Sequence, residues 1–519
     1  MTRCPAAPLG DPLAGAMWNG WGGDSSNTRF QPAAAAGLTA ADVPRLTLKW
    51  AVGFPDGQFV ASQPTVVGGR IYIGTGPGGA MSLDATTGCV YWTFRAPAIV
   101  RTSITIARVA GSTPPRYAAF FGDLQANVYA VDAETGVQLW TRRADRHPQA
   151  RITGAPTFFD GRLYVPVTSM EEPAAASPTY ECCTFRGNVV SYDAATGQEI
   201  WKSYVIDEEP VRTKKNAKGT QNWGPAGAGV WNAPTIDARR GVLYVATGDA
   251  YTAPAADSSD AVVALDLKTG KKVWVKQLTA NDAWLVGCDR PTDRPINCPD
   301  EPGPDFDFAQ SAVLRTLPDG RSIIAIGQKS GVGWGLDPDR KGTIVWQYRA
   351  GKGGIRGGIV FGSAADDQMV YFAVSDIPYA QHGPSNAGGL AAVKLATGEQ
   401  VWFTHPPPVD CAASPRRCIQ GQSAAVTAIP GVVFSGATNG MMRAYSTTDG
   451  RVIWEYDTAH EYATVNRLPA KGGYLDGPGP TIVGGTLFMN SGYGTNNGGV
   501  PGNVLLAFGV AGEQSPKAR

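Results

Sequence analysis

The sequence has few histidines, no long apolar run and no excess of either charge. Only four of its 519 residues are histidine, and none of them has the spacing of a zinc site. No apolar run reaches the ~18 positions that a membrane helix needs. The 45 basic and 44 acidic residues are mixed along the chain and give a net charge of +1. We therefore expect neither membrane insertion nor a nucleic-acid partner.

Glycine and proline, by contrast, are abundant and evenly spread. The chain contains 65 Gly and 39 Pro, together with 14 Trp and 18 Tyr. So much turn chemistry argues against long helices, and aromatic residues suit pleated, half-buried surfaces. The length exceeds the ~250–300 residues of a single hydrophobic core, so the chain either splits into domains or repeats one unit. The composition predicts an all-β protein.

One signature recurs along the chain: a short apolar run, an Asp, a turn that ends in Gly, and a Trp. Clear copies are SLDATTGCVYW, AVDAETGVQLW, SYDAATGQEIW and ALDLKTGKKVW, which end at Trp92, Trp140, Trp201 and Trp274. Weaker copies end at Trp346, Trp402 and Trp454. Each copy predicts a hairpin whose inner strand ends at the Asp and whose outer strand carries a Trp that packs against the next unit.

An eighth Trp, Trp50, has no such hairpin before it. We expect its partner to be VLLAFGV, residues 504–510, at the other end of the chain. Pairing the last strand with the first segment would close a ring and remove the sheet edges. The prediction is an eight-bladed β-propeller of four-stranded antiparallel blades, with residues 1–519 forming one domain.

Eight cysteines indicate a disulfide framework. Cys182 and Cys183 are adjacent, Cys288 and Cys298 are ten apart, and Cys411 and Cys418 are seven apart, which leaves Cys4 and Cys89 as a possible fourth pair. Disulfides indicate an oxidising compartment, which in a bacterium is the periplasm. The first residues contain no hydrophobic export segment, so a signal peptide is expected to be absent from this sequence or already removed.

The opening WNGWGGDSSNTRFQP, followed by the Asp-x-x-Thr-Gly…Trp repeats, resembles the family of alcohol dehydrogenases that depend on pyrroloquinoline quinone (PQQ). The stretches ECCTFRG and WLVGCDR…NCPDEPGPDFDF are most similar to polyvinyl alcohol dehydrogenase and its relatives. Those relatives include enzymes that act on bulky secondary alcohols such as deoxynivalenol. Some carry a cytochrome c domain, but this sequence has no Cys-x-x-Cys-His, so we expect none here.

The resemblance implies a reaction, a cofactor and partners. PQQ would be held in the central funnel with a divalent metal that polarises the quinone carbonyl. A carboxylate would take the proton of an alcohol, with net hydride transfer to the quinone, and the electrons would pass to a cytochrome c or an equivalent acceptor. The expected metal is Ca²⁺, with Mg²⁺ or a lanthanide as alternatives.

The resemblance also implies metal ligands. DGRLYVPVTSME puts Glu171 in the ligand position, with Glu172 and Glu181 as nearby alternatives, while a solvated acidic loop is the competing interpretation. GAGVWNAPTIDARRGVLYVATGD puts Asp249 where the family usually has Asn, which keeps an oxygen ligand and adds a charge.

The general base is harder to assign, because the sequence departs from the family's motif at this point. The family has an Asp-x-Trp-Asp run, but NDAW continues here into Leu285. After an inserted loop, DFDFAQSAVL resumes the pattern. We therefore expect Asp305 to be the general base and a metal ligand, Asp307 to lie beside the metal, and Asp282 to be the alternative base.

Further positions are expected to hold the cofactor. The resemblance assigns Trp231 as the floor under PQQ, and Thr153 and Ser169 as hydroxyl contacts. GQKSGVGWGLD makes Lys329 the cation near the quinone oxygens, where it would also assist catalysis, and VRTSI makes Arg101 the partner of a PQQ carboxylate. An ordinary blade Trp, a surface Lys and a rim Arg are the competing interpretations.

In the family a disulfide between adjacent cysteines caps the cofactor, and Cys182–Cys183 could do so. The pair lies one blade later than in methanol dehydrogenases, and two thiols or two separate bridges remain alternatives.

A second class of function is also open. Outer-membrane assembly proteins have similar repeats and act as scaffolds without a cofactor. Convergence of the acids with Lys329 and Trp231 would distinguish the enzyme from such a scaffold. The substrate is not fixed by the sequence, although the long loops 285–304 and 405–420 could form the funnel mouth.

Overall fold

Each repeat forms the outer half of a four-stranded antiparallel sheet, and eight such sheets form a ring. The computed structural model describes residues 2–55, 60–76, 78–111, 116–377, 388–409, 418–494 and 499–511. Cys411, and with it the suggested Cys411–Cys418 pair, lies outside these residues, as does part of the 405–420 loop. In every blade the first strand is the innermost and the fourth carries the Trp. The third strand ends at the Asp of the repeat in blades 1 to 5, and at Lys394, Ser446 and Val510 in blades 6 to 8.

The strands of the first four blades, from the inside outwards, have the following bounds. Blade 1 is Thr65–Val67, Arg70–Thr75, Gly79–Asp84 and Val90–Phe94, and blade 2 is Thr105–Val109, Arg116–Gly122, Asn127–Asp132 and Gln138–Arg143. Blade 3 is Thr157–Phe159, Arg162–Ser169, Asn188–Asp193 and Glu199–Tyr204, and blade 4 is Thr235–Asp237, Val242–Ala246, Ala261–Asp266 and Lys272–Gln277.

The other four blades repeat this pattern. Blade 5 is Val313–Thr316, Ser322–Gly327, Val332–Asp337 and Thr343–Arg349, and blade 6 is Ala364–Ala365, Met369–Val374, Gly389–Lys394 and Gln400–Thr404. Blade 7 is Thr427–Ile429, Val432–Gly436, Met441–Ser446 and Val452–Asp457. Blade 8 is Thr481–Val483, Thr486–Ser491, Val504–Val510 and Leu46–Gly53.

The ring closes as predicted. Leu46–Gly53 pairs antiparallel with Val504–Val510, so that Trp50 lies opposite Ala507. The eight-bladed all-β prediction is confirmed, and so are the disulfides Cys4–Cys89, Cys182–Cys183 and Cys288–Cys298.

Little regular structure lies outside the blades. Two-residue strands are Ala150–Arg151, which extends blade 3, and Glu461–Tyr462 with Ala470–Lys471. The helices are Ala33–Ala36 and Glu171–Ala174, with 3-10 turns at Val43–Arg45 and Pro338–Arg340. None of the helices in the described part of the chain has the length and apolar character needed to cross a membrane.

The Trp and the Gly of the repeat form the contact between neighbouring blades. The Trp92 indole N–H donates to the Ala133 carbonyl of blade 2, 3.0 Å away, and Trp140 makes the equivalent bond to Ala194 of blade 3. Gly136 has φ 75°, and a Cβ there would lie 2.7 Å from the Trp92 ring. The turn therefore needs glycine for its backbone conformation and for the close approach of the indole.

A belt of threonine hydroxyls joins the innermost strands. Thr65, at the start of blade 1, donates to the Ile104 carbonyl next to Thr105 of blade 2, and Thr481 of blade 8 donates to Pro64 of blade 1 at 2.7 Å. The same bond links four further pairs of neighbouring blades, through Thr105, Thr157, Thr235 and Thr427. Val313 and Ala365 occupy the two equivalent positions without a hydroxyl.

The segment 18–31 crosses one end of the ring, and we call it the plug. Its backbone or side chains hydrogen-bond the innermost strands of seven blades, at Val66, Ile106, Ile236, Leu314, Ala365, Ala428 and Ile482. The buried Arg29 anchors it, donating to the Trp21 and Val426 carbonyls at 2.6 Å. Burial lowers the pKa of Arg29 to about 9.

Three loops interlock at the opposite end, where the second strand of each blade ends. Asn297, in the Cys288–Cys298 loop, donates to the carbonyls of Ala175 and Ser177 in the loop after blade 3, both at 3.0 Å. It also accepts from Asn216 at 2.8 Å. Asn216 lies in a hairpin formed by Val211–Lys215 and Gln221–Gly224. The 285–304 loop therefore lies at the mouth of the channel.

Candidate active site

Equivalent positions on the innermost strands converge on the ring axis. Each innermost strand has one position that holds a belt threonine or, in two blades, Val313 or Ala365. In seven blades the residue four places before that position lines the central channel. These residues are Ala61, Arg101, Thr153, Trp231, Ala309, Phe361 and Gly477. These seven residues line a cavity with about 390 Å³ of empty space, part of it open to solvent. Its lining also includes Trp21 of the plug. Side chains alternate along a strand, so the next axial residue towards the mouth in blade 5 is Asp307.

Three buried acids meet at this level. Asp249, Asp305 and Asp307 each offer a carboxylate oxygen within 4.8 Å of the others. Lys329 lies between two of them, with Nζ 2.7 Å from Asp305 Oδ1 and 2.7 Å from Asp307 Oδ2. The same Nζ lies 5.6 Å from the centroid of the Trp231 ring. The structure thus brings together five residues that the sequence assigned to one site.

The strand order explains why these residues meet. Asp249 follows the second strand of blade 4, and Asp305 and Asp307 precede the first strand of blade 5, so both segments lie at the mouth side of neighbouring blades. The Asp249 N–H donates to Asp307 Oδ1 at 2.6 Å. A Cβ on Gly248 would lie 2.6 Å from that oxygen. Glycine at 248 therefore lets the Asp307 carboxylate approach the backbone.

Burial and mutual repulsion shift the ionisation of this cluster. Burial, followed by the charge of Asp307, raises the pKa of Asp249 well above its usual range. Burial also raises the pKa of Asp305, against the effect of the Lys329 ammonium. For Lys329, burial favours the neutral amine, but the charges of Asp305 and Asp307 outweigh it and raise the pKa. Lys329 therefore stays an ammonium, and Asp305 is a stronger base than an exposed Asp.

The two adjacent glutamates point to different places. Both carboxylate oxygens of the fully buried Glu171 are used in the loop that carries the disulfide: Oε1 accepts from the Thr184 N–H at 2.8 Å, and Oε2 accepts from the Phe185 N–H at 2.7 Å. Tyr180 also donates to Glu171. The structure therefore does not bring Glu171 to the acid cluster.

Glu172 is the glutamate that faces the cluster. Burial, with the charge of Asp307 next in size, raises its pKa to about 8. A residue in a helical turn points ~100° away from its neighbour, so the short helix Glu171–Ala174 sends the two side chains in different directions. Glu181 is exposed and accepts a hydrogen bond from the Trp223 indole, away from the acids.

Asp282, the alternative base, has both carboxylate oxygens engaged. Oδ1 accepts from the Asp305 N–H at 3.1 Å, and Oδ2 accepts from the Phe306 N–H at 2.7 Å. Its backbone carbonyl accepts from Ala250, the residue after Asp249. Asp282 thus supports the acids rather than facing the channel with a free oxygen.

The remaining predicted cofactor contacts occupy several places. Thr153 lines the cavity and its hydroxyl lies 3.5 Å from the Trp231 carbonyl. The Ser169 hydroxyl lies 3.2 Å from the Tyr251 hydroxyl and accepts from the Glu171 N–H. The Cys182–Cys183 disulfide is buried and lies in the loop that Glu171 holds.

Arg101 stacks on aromatic rings at the side of the cavity. Its guanidinium carbon lies 5.6 Å from the ring centroids of both Phe361 and Tyr493. The Phe361 ring in turn meets the Trp231 ring edge to face at 6.3 Å. Sequence reasoning missed Phe361, although its position four places before the belt would have identified it as axial.

Asp260 was also missed. It is fully buried, and neither carboxylate oxygen has a hydrogen-bond partner among the described residues. Burial, followed by the charges of Asp282 and Asp307, raises its pKa well above the usual range. No motif marks this residue in the sequence, because it becomes part of the acidic region only through the fold of blade 4.

Comparison with known proteins identifies the family. The family described as the β-propeller domain of glucose, ethanol and alcohol dehydrogenases that use PQQ matches residues 18–292. A polyvinylalcohol dehydrogenase of a Pseudomonas species is 44% identical over 505 residues, which cover 96% of this chain and 77% of that protein. One from Sphingopyxis sp. strain 113P3 is 41% identical and covers 98% of this chain and 79% of its own length. The chain belongs to the PQQ-dependent alcohol dehydrogenase family.

The fold of this quinoprotein alcohol dehydrogenase agrees with solved structures. The quinohemoprotein alcohol dehydrogenase ADHIIG of Pseudomonas putida HK5 superimposes with a TM-score of 0.71 at 18% identity, covering 97% of this chain and 82% of that one. The family of the outer-membrane assembly factor BamB matches residues 185–405 and 328–495, which reflects the shared repeat. The high identity to enzymes sets the scaffold alternative aside.

The residues of this quinoprotein dehydrogenase fit a cofactor and a metal. Carboxylate oxygens are hard ligands that suit divalent cations such as Ca²⁺. Three buried acids are only partly balanced by Lys329, and Asp249 Oδ2 has no hydrogen-bond partner among the described residues. A divalent cation there would supply the missing charge. The indole of Trp231 and the guanidinium of Arg101 border one cavity, as a planar acid such as PQQ requires.

Proposed function

We propose that the chain oxidises secondary alcohols on a polymer or another bulky molecule, with Asp305 as the general base. The observation that carries the proposal is the meeting of Asp305, Asp307 and Lys329 beside the Trp231 ring in the central channel. The polymeric substrate is inferred from the two relatives named polyvinylalcohol dehydrogenase. The three disulfides support the periplasm as the compartment.

Each residue has a role in this proposal. Asp249, Asp305, Asp307 and Glu172 would hold the metal, and Trp231, Arg101, Thr153 and Ser169 would hold PQQ. When bound, PQQ would supply an acceptor for the two electrons of the alcohol, and the metal would supply Lewis-acid assistance. Asp305 takes the hydroxyl proton of the alcohol. The Lys329 ammonium keeps the acids in place and stabilises negative charge that develops beside Trp231.

Other assignments stay predictions. Lys329 as a contact of the quinone oxygens and the Cys182–Cys183 disulfide as a cap of the cofactor follow from the family resemblance. We infer a cytochrome c as electron acceptor, because one relative is named as a cytochrome c-linked hydroxylase. Ca²⁺ is the proposed metal, and Mg²⁺ or a lanthanide would use the same oxygen ligands.

Reconstitution tests the proposal. The purified protein is incubated with PQQ, with and without Ca²⁺, and reduction of an artificial dye is followed with polyvinyl alcohol, 2-alkanols and primary alcohols. Turnover should need both additions and should favour the secondary alcohols. Asp305→Asn should lower kcat by about 100-fold or more, the usual contribution of a general base.

The matched control is Asp300→Asn, because the Asp300 side chain is 89% exposed in the neighbouring loop. It should turn over like the wild type. Absence of turnover with PQQ and any of the three metals, or an Asp305→Asn variant that retains full activity, would contradict the proposal.

A further inference from the structure

We propose that Asp282 is a positioning residue that holds the active-site acids in register, and that it takes no part in proton transfer. The inference rests on the proposed function, in which Asp305 is the base. It assigns a role to an acid that family resemblance leaves only as an alternative base.

The carboxylate of Asp282 binds the backbone between two of the acids. Its oxygens accept from the Asp305 and Phe306 N–H groups, at 3.1 and 2.7 Å. Asp282 is 0% exposed, so these charge-assisted bonds form without competition from water. The Asp282 carboxylate thereby fixes two consecutive N–H groups, those of the two residues that precede Asp307.

The backbone at this point requires such a restraint. Asp305 has φ 58°, in the left-handed region that residues other than glycine rarely adopt. This conformation is unfavourable for a residue with a side chain, because its Cβ comes too close to the following carbonyl oxygen. It also turns the chain so that both Asp305 and Asp307 reach the same Lys329 ammonium. The two bonds to Asp282 stabilise the turn that the active site needs.

Asp282 also holds the segment that carries the third acid. Its carbonyl accepts from the Ala250 N–H at 3.1 Å, and the Ala250 carbonyl accepts from the Trp284 N–H at 2.8 Å. Ala250 directly follows Asp249. One residue therefore joins the Asp249 segment of blade 4 to the Asp305–Asp307 segment of blade 5.

Gly303 gives independent evidence that the position of this carboxylate is tightly constrained. A Cβ on Gly303 would overlap Asp282 Oδ1, and the Gly303 N–H bonds the Ala283 carbonyl. The chain passes so close to Asp282 that only glycine fits. Gly303→Ala should therefore displace the carboxylate without changing any charge.

The experiment compares Asp282→Asn, Gly303→Ala, Asp305→Asn and the control Asp300→Asn as PQQ-loaded holoenzymes. For each we would measure kcat, KM for the alcohol, the Ca²⁺ concentration for half-saturation, and Tb³⁺ luminescence as a direct readout of metal binding. Thermal unfolding shows which variants fold.

Asp282→Asn should lower kcat and weaken Ca²⁺ and Tb³⁺ binding, each by about 10- to 100-fold, as is typical for residues that support ligands. KM should stay within about threefold, because the alcohol does not contact Asp282. Gly303→Ala should change the same quantities in the same direction, and it decides the question if Asp282→Asn does not fold.

Two outcomes would overturn the inference. Normal kcat and metal binding in Asp282→Asn would show that the acids need no such support. A loss of kcat as deep as in Asp305→Asn with unchanged metal binding would make Asp282 the base. Failure of the proposed function looks different, because the wild-type holoenzyme itself would then show no turnover.

Discussion

Asp476 is a buried acid whose ionisation is linked to Arg101 at the side of the cavity. Its Oδ1 accepts from the Ser423 hydroxyl at 2.6 Å and from the Gly477 N–H at 2.8 Å. Burial raises its pKa to about 6, although the positive charge of Arg101 acts in the opposite direction. The side chain is therefore partly neutral at slightly acidic pH, next to residues that stack around Arg101.

This shift predicts how stability depends on pH. The folded protein retains a proton on Asp476 between about pH 4 and pH 6, where the unfolded chain has lost it. The stabilisation is complete below the unfolded pKa and is lost as the pH rises through the folded pKa. Compared with Asp476→Asn, the wild-type free energy of unfolding should fall by about 2.4 kcal/mol between pH 4 and pH 7.

Denaturant unfolding of the two proteins at several pH values measures this difference, since contributions from other groups cancel. Asn retains an oxygen for the Ser423 hydroxyl, so the comparison isolates the charge. A constant difference across the range would mean that Asp476 ionises normally in the folded protein.

At the scale of elements, the hydroxyl belt joins the innermost strands of seven of the eight blades, all except blade 6. Thr481 bonds the Pro64 carbonyl and so joins the last blade to the first. Both residues are buried at strand ends, where a carbonyl that loses its donor cannot turn to water.

Thr481→Val should therefore destabilise the protein by about 1–3 kcal/mol, since the shape is kept and only the hydrogen bond is lost. The control is Thr486→Val in the next strand of blade 8, where the side chain is half-buried. It should change stability by less than about 0.5 kcal/mol. Equal effects of the two substitutions on the unfolding midpoint would show that the belt contributes nothing specific.

The elements also show what the sequence can predict. The hairpins follow from local signals, because the Asp, Gly and Trp of each repeat act within or between adjacent blades. The ring closure and the Cys4–Cys89 pair follow by elimination, because Trp50 and these two cysteines had no nearer partner in the sequence. The direction of a side chain in a single helical turn cannot be predicted from the sequence. The family resemblance therefore assigned the ligand position to Glu171, whereas Glu172 is the residue that faces the acids. Asp260 and Tyr493 were not identified from the sequence, because the residues that they contact come from distant parts of the chain.

At the scale of the whole molecule, the proposed metal would connect neighbouring blades. Glu172 follows the second strand of blade 3, Asp249 that of blade 4, and Asp305 and Asp307 precede blade 5. A cation that binds all of them stabilises the folded ring and has no equivalent site in the unfolded chain.

Ca²⁺ should raise the unfolding temperature of the PQQ-loaded protein, and a chelator should reverse the change. At a hundred times its Kd, the ion adds about 2.7 kcal/mol. Asp307→Asn should abolish the Ca²⁺-dependent part of the stability, whereas Asp300→Asn should retain it. Calorimetric scans with and without Ca²⁺ provide the measurement, and an equal Ca²⁺ effect in both variants would place the ion elsewhere.

The plug has a consequence for how substrates reach the site. Residues 18–31 bond the innermost strands of seven blades at one end of the channel, while the acids lie towards the other end. If Asp305 is the base, alcohol would then enter and product leave by the same opening, on the side away from the plug. A long polymer would reach Asp305 as a chain end or a bent loop. Each oxidation would need a separate binding event, and the oxidised hydroxyls would be scattered along the polymer rather than consecutive.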